Sequence, residues 1–401
     1  MPSRVVITGI GIITSIGNGI SETLQSIRSL KSGIGPISIL KTVHRENFPS
    51  GEIKLTDQEL TELARPGVPA TVTRTTLLGL IAAREAYISA GLKPGQKPDV
   101  KTGIVSATTV GGMDKTELHY FDFLNNKQHL EYVHTHDCCD NTQTIAEYLG
   151  AGDFMTTIST ACSSSANAIM FGARLIRHGI VGRIIAGGTD ALSKFTLNGF
   201  NTLKILDEKK CRPFSSDRMG LNLGEGAGFL VMESEQLAKR RNQEVLCELT
   251  GFANANDAYH QTASSPDGYG PFLAMKNALD LNGTDPREIG YINAHGTGTD
   301  NNDLTEGFAI EKIFLPAIPP VSSTKAFTGH TLGAAGAIEA VFSILSLKYG
   351  MILPNLNYSG KISELSFEPA LKLQEGLEIR SVLSNSFGFG GNDSSLIFSK
   401  Y

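Results

Sequence analysis

The chain has 401 residues, with 35 basic against 40 acidic side chains and a net charge of −5 at pH 7. That balance leaves no electrostatic footprint for nucleic acid, and 41% hydrophobic with 19% charged residues excludes a disordered chain. At roughly 100–200 residues per domain, the length allows two domains or one large duplicated fold. Short apolar runs then alternate with longer periodic segments, which is the α/β signature. Strands are predicted at Val5–Ile10, Thr102–Ser106, Thr156–Ser159, Arg183–Ala186 and Gly228–Glu233. The first run, Val5 to Ile13, is broken by Gly9 and Gly11 and reads as a strand rather than a signal peptide. Helices are predicted at Thr75–Ala90 and Ser163–His178. Leu206–Leu223 is polar and irregular.

After residue 240 the pattern restarts. Strands are predicted at Glu244–Thr250, Tyr291–Ala294, Val321–Ser323, Val382–Ser386 and Ser395–Phe398, with helices at Pro271–Leu281, Asp303–Phe314 and Gly333–Lys348. Val5-Val6-Ile7-Thr8-Gly9 and the run from Val245 to Gly251 both end in Thr-Gly, which hints at two halves, 1–240 and 241–401. The five cysteines suggest no disulfide framework and fit a reducing compartment, so a cytoplasmic location is expected. No uninterrupted apolar stretch approaches the ~20 residues of a membrane span.

Chemistry concentrates in four loops. Thr160-Ala161-Cys162-Ser163 joins a strand to a helix, and the partial positive charge at a helix N-terminus favours a thiolate. His295, in Asn293-Ala294-His295-Gly296-Thr297-Gly298-Thr299, and His330, in Lys325 to Gly336, sit in glycine-rich loops after strands. A cysteine at a helix start with two such histidines points to a nucleophile with acid/base groups. Asn385-Ser386-Phe387-Gly388-Phe389-Gly390-Gly391 can offer backbone N–H groups to an oxyanion. Three other features suit bland roles. His134-Thr135-His136-Asp137-Cys138-Cys139 does not match zinc spacings. Gly9-Ile10-Gly11 lacks the third glycine of a dinucleotide site. Lys239-Arg240-Arg241 reads as a solvated helix end.

Together these segments, with Gly187-Gly188-Thr189-Asp190 and Gly224-Glu225-Gly226-Ala227-Gly228, resemble the β-ketoacyl-acyl-carrier-protein synthases of the synthase II type, within the thiolase superfamily. The resemblance implies an α/β thiolase-like duplicated fold, five layers α-β-α-β-α with two mixed five-stranded sheets. It implies a homodimer, an acyl-carrier-protein partner and no required cofactor. It makes Cys162 the acylated nucleophile and His295 with His330 the decarboxylation site. Lys325 and Glu306 match a buried ion pair, and Glu339 a structural acid. Thr297 and Thr299 match phosphopantetheine contacts, and Phe200 an acyl-pocket wall. The N–H groups of Cys162 and Phe389 match an oxyanion hole, with Phe389 also the gate. A structural cation is implied at oxygens of Asn293, Ala294, Glu339, Ser384 and residue 393, here Asp393. The last glycine loop has no cysteine, unlike a degradative thiolase, and His330 replaces the asparagine of the initiating type.

The resemblance departs at three places. The segment from Ala64 to Arg74 keeps only Arg65 and Arg74 of a denser basic docking cluster. Asp140-Asn141-Thr142-Gln143-Thr144 replaces a more apolar stretch near the acyl pocket. Gly391-Asn392-Asp393 stands where Gly-Thr-Asn is usual. The expected function is decarboxylative condensation of an acyl-enzyme with malonyl-carrier protein in fatty acid elongation. The alternatives are a polyketide or polyene ketosynthase and a non-catalytic partner subunit.

Overall fold

The computed structural model describes residues 3–64, 69 and 71–401. All ten predicted strands are present: β1 Val5–Thr14, β2 Thr102–Ala107, β3 Phe154–Ile158, β4 Arg183–Asp190, β5 Gly226–Ser234, β6 Cys247–Asn256, β7 Ile289–Asn293, β8 Val321–Ser322, β9 Ser381–Gly388 and β10 Asn392–Ser399. Strand β1 runs through both of its glycines to Thr14. A Cβ on Gly11 would lie 2.1 Å from the carbonyl oxygen of Ala82, so glycine lets helix Arg74–Ser89 pack directly on the strand.

The strand order is β3-β2-β4-β5-β1-β6-β10-β9-β7-β8. It is two copies of one pattern meeting at β1 and β6. β2 is parallel to β3 and β4, and β5 is antiparallel to β4 and β1. Likewise β7 is parallel to β8 and β9, and β10 is antiparallel to β9 and β6. The seam is short, since β1 and β6 pair only at Val6–Glu248 and Ile7–Cys247. The restart after residue 240 is therefore a repeat of topology, carried by hydrophobic pattern more than by identity.

Helices form three layers around these sheets. Arg74–Ser89 and Cys139–Leu149 share an outer apolar cluster with β4 and β5. Ser164–Arg177 and Ala335–Tyr349 lie between the sheets, in the largest cluster, which draws on both halves. Tyr269–Asp280 and Asp300–Phe314 cover the far face of the second sheet. The central helix is buried on all sides, as a helix between two sheets must be. It makes 332–349 apolar enough in length and composition to cross a membrane, but 89% of that window is packed inside the protein. A Cβ on Gly228 of β5 would sit 2.8 Å from the backbone of Ala337, so close approach again explains a glycine.

The predicted long helices match within a few residues. The pattern reading missed Ile20–Arg28, Asp57–Ala64, Met113–Phe121 and Lys194–Thr202, which have 8 or 9 residues each and too few turns to set a period. It also missed Cys139–Leu149.

Candidate active site

Cys162 sits at the turn between β3 and helix Ser164–Arg177. The preceding Ala161 has φ +52°, unusual for a residue with a side chain, and this sharp turn aims the thiol out of the central layer. His295 follows β7, and His330 follows β8 after the short helix Lys325–Thr328. The topology brings three loops from two halves together. The Cys162 sulfur and one ring nitrogen of each histidine all lie within 4.8 Å of one another, and all three residues are buried. The imidazole centroids are 5.3 Å apart and the rings nearly perpendicular.

Hydrogen bonds assign the tautomers. His330 Nδ1 accepts the backbone N–H of Leu332 at 3.1 Å. Lys325 Nζ donates to His295 Nδ1 at 3.1 Å and also to the His295 carbonyl. With Nδ1 an acceptor in each ring, the proton of each neutral imidazole is on Nε2. Burial, then the Lys325 charge, holds both histidines well below their usual range, and His330 adds to the effect on His295. Two uncharged N–H donors thus share one cleft. Leu332 was missed from the sequence, because a backbone N–H gives no side-chain signal.

The ion pair differs from the expectation. Lys325 pairs with Glu339 of the central helix, not with Glu306. Glu306 instead accepts the N–H groups of His295 and Gly296, both at 2.8 Å, and the Asn385 side chain at 3.0 Å. It braces the His295 loop, and burial raises its carboxyl to about 7 against those bonds. Burial likewise pushes Glu339 up to about 7, opposed by Lys325.

A second correction concerns the thiol. Helix position alone suggests a thiolate, but burial pushes Cys162 up to about 11, against the pull of Lys325 and of the Phe389 N–H. Burial therefore favours the thiol over the thiolate. Phe389 lines the same cleft as Cys162, so the last glycine loop reaches the nucleophile. Phe389 also stacks on Phe200, with centroids 5.9 Å apart. Both rings, Thr297, Thr299 and the Cys162–His295–His330 group line one cleft of about 340 Å³. The two threonine hydroxyls bond each other at 2.9 Å.

The expected cation set does not assemble whole. Asn293 and Ser384 are register partners in β7 and β9, and Asn293 Nδ2 donates to the Glu339 carbonyl. Glu339 Oε2 is buried without a partner, which suits a cation or a proton. Asp393 lies on the other face of the sheet. Its neighbour Asn392 bonds Ser163 and Asn167 of the central layer, and successive strand side chains alternate. Asp393 therefore faces Gly270 of the outer helix and Asp257. Both of its oxygens are buried and unpartnered.

Of the two basic residues expected at a docking surface, Arg65 lies outside the described residues. Arg74 is buried and bound to Glu225 and Asp57, so it is a structural cation. His134 faces Asp140, and Cys138 immediately precedes helix Cys139–Leu149 without a side-chain capping bond.

Family models decide what this architecture belongs to. The beta-ketoacyl synthase N-terminal domain matches residues 2–238, and the C-terminal domain matches 246–359. The chain belongs to the beta-ketoacyl synthase family. It is 33% identical to 3-oxoacyl-[acyl-carrier-protein] synthase 2 of Staphylococcus aureus (strain COL), covering 99% of this chain and 98% of that one. It is 32% identical to the protein of that name in Coxiella burnetii, with the same coverage. Among solved structures it is similar to the ishigamide ketosynthase/chain length factor, with a TM-score of 0.93 and 31% identity over all of both chains. It is also similar to the ketosynthase ApeO in complex with its chain length factor ApeC from Xenorhabdus doucetiae. That TM-score is 0.85, with 31% identity over 100% of this chain and 98% of the other. This beta-ketoacyl synthase is thus a condensing enzyme of fatty acid or polyketide synthesis.

Proposed function

We propose that this synthase elongates chains on an acyl-carrier protein by decarboxylative condensation, as a step of fatty acid synthesis. The observation that carries this reading is one thiol facing two uncharged Nε2–H donors in a shared cleft. Cys162 sulfur attacks the carrier-bound thioester. The new S–C bond replaces the bond to the phosphopantetheine sulfur, which leaves with the thiol proton. Thr297 and Thr299 hold the phosphopantetheine arm of the next, malonyl-bearing carrier. Loss of CO2 leaves its bonding electrons in an enolate, whose oxygen accepts the Nε2–H groups of His295 and His330. The enolate carbon then attacks the acyl carbon on Cys162. The N–H groups of Cys162 and Phe389 receive the tetrahedral oxyanion, each such donor contributing about 2.7–4 kcal/mol. Collapse releases the β-ketoacyl product and the Cys162 sulfur, which is reprotonated from water.

Phe389, between Phe200 and flexible glycines, is the gate that admits malonyl only after acylation. The nucleophile belongs to the half 1–240 and the histidines to the half 241–401. A cytoplasmic homodimer is the working form, supported by the free edge of β3, where Met155 is 49% exposed. The reaction itself requires no cofactor, and a cation beside Glu339 has a structural role.

A polyketide or polyene substrate is the second reading. The buried Asn141 and Thr142 favour it, with Thr142 bonded to Thr157 on the strand that leads to Cys162. Mass spectrometry of Cys162 after incubation with a panel of acyl-carrier proteins tests both. Adducts of saturated chains support elongation, and selective unsaturated or ketone-bearing adducts support the second. No adduct at Cys162 from any carrier removes the nucleophile assignment.

A further inference from the structure

Helix Met113–Phe121 runs into a π-helical turn, Asp122–Asn126, and the chain then reverses through Lys127 at φ +51° and His129 at φ +57°. A π turn ending in two left-handed residues with side chains is unfavourable backbone. The reversal lays the His129 ring on that of His119, with centroids 4.2 Å apart, and Tyr132 stacks on His119 at 5.1 Å. Asp122 lies between the two histidines. Its Oδ2 is 3.5 Å from His119 Nδ1 and 3.9 Å from His129 Nε2. The three ligand atoms lie within 4.8 Å of one another. The other nitrogen of His129, Nδ1, faces Glu131 at 3.6 Å.

This arrangement is incomplete as hydrogen bonding. A neutral imidazole donates from one nitrogen only. His129 presents both nitrogens to carboxylates, beyond hydrogen-bond distance, an arrangement met either by an imidazolium or by a cation between Nε2 and Asp122. Tetrahedral zinc with bonds of about 2.0–2.2 Å needs ligand atoms roughly 3.3–3.6 Å apart. Asp122 Oδ2 already meets that spacing with His119 Nδ1 at 3.5 Å and lies a few tenths of an ångström beyond it from His129 Nε2 at 3.9 Å, while the two ring nitrogens are within 4.8 Å and the stacked rings must turn to share one ion. A ligating histidine characteristically donates its second nitrogen to a carboxylate, which is the place Glu131 occupies. None of these residues lines the Cys162 cleft.

We propose that His119, Asp122 and His129 bind a divalent transition-metal ion of zinc's class, with Glu131 orienting His129 and water completing the shell. The ion fastens the reversed turn to the helix before it. Nitrogen and carboxylate donors without a thiolate suit zinc, cobalt or nickel rather than calcium or magnesium.

The test uses the full chain carrying Cys162→Ala, because Cys162, His295 and His330 form a second group able to take such an ion. After chelator treatment, cobalt(II) and zinc(II) are titrated and read by absorption and calorimetry. One equivalent of cobalt with visible ligand-field bands and no thiolate charge-transfer band is expected, with a higher melting temperature in zinc. His119→Gln and His129→Gln should each abolish binding, and Glu131→Gln should weaken it roughly 10–100-fold. Circular dichroism of each variant checks that the fold is kept. No binding in the Cys162→Ala chain overturns the proposal. So does an equivalent that persists when both histidines are replaced.

Discussion

Lys325 and Glu339 show how much one buried pair decides. Both side chains are almost fully enclosed, and the lysine also reaches His295. Removing one partner leaves an unpaired charge in the core, which costs about 3–5 kcal/mol. Glu339→Ala should lower stability by about that amount in denaturant melts, and Lys325→Met with Glu339→Gln should recover most of it. A Glu339→Ala loss below about 1 kcal/mol would show that water or an ion reaches Lys325. At the catalytic residues, Cys162→Ala should abolish acyl transfer and condensation while decarboxylation of malonyl-carrier protein persists. Retained condensation would remove Cys162 from its role. His330→Asn should slow decarboxylation more than acylation, because it replaces an Nε2–H donor whose geometry Leu332 sets. Equal loss of both steps would make thiol activation the main task of His330.

At the scale of elements, the Phe389 loop is tied to the segment after β6. Gly390 N–H donates to the Gln261 carbonyl, and the Asn256 side chain donates to the Gly390 carbonyl. Asp393, at the foot of this loop, has its carboxyl raised to about 8, by burial first and then by Asp257 and Glu306. The folded state therefore holds this proton more tightly than the unfolded chain. The resulting stabilisation is complete below about pH 3.8 and is lost as pH rises toward about 8. Asp393→Asn keeps the shape and removes the ionisation, so it should raise stability by about 1–3 kcal/mol at pH 8 and little at pH 4. Urea melts at the two pH values measure this, and an equal effect at both would show that the charge is not the cause. The element-level surprise was that neighbouring residues 392 and 393 serve opposite faces of one sheet, which strand alternation dictates once the register is known.

For the whole molecule, the exposed edge of β3 predicts self-association. Met155→Lys would place a charge on that edge strand, and light scattering should show a dimer become a monomer. A monomeric starting protein would refute the edge assignment. Strand positions, the repeat and the loops bearing Cys162, His295 and His330 were all legible in the sequence. Their signals are local: apolar period, glycine at tight approaches and nucleophile at a strand-to-helix turn. The partner of Lys325 was not legible, since Glu306 and Glu339 are both acids at plausible spacing and only packing selects between them. Nor was the upward shift of the Cys162 thiol, because a helix terminus favours the thiolate whereas burial, which depends on every layer above it, opposes it. The sequence by itself determined which groups enter the cleft. Tertiary structure decided their ionisation and pairing, because desolvation and charge proximity are properties of the enclosing fold rather than of any segment.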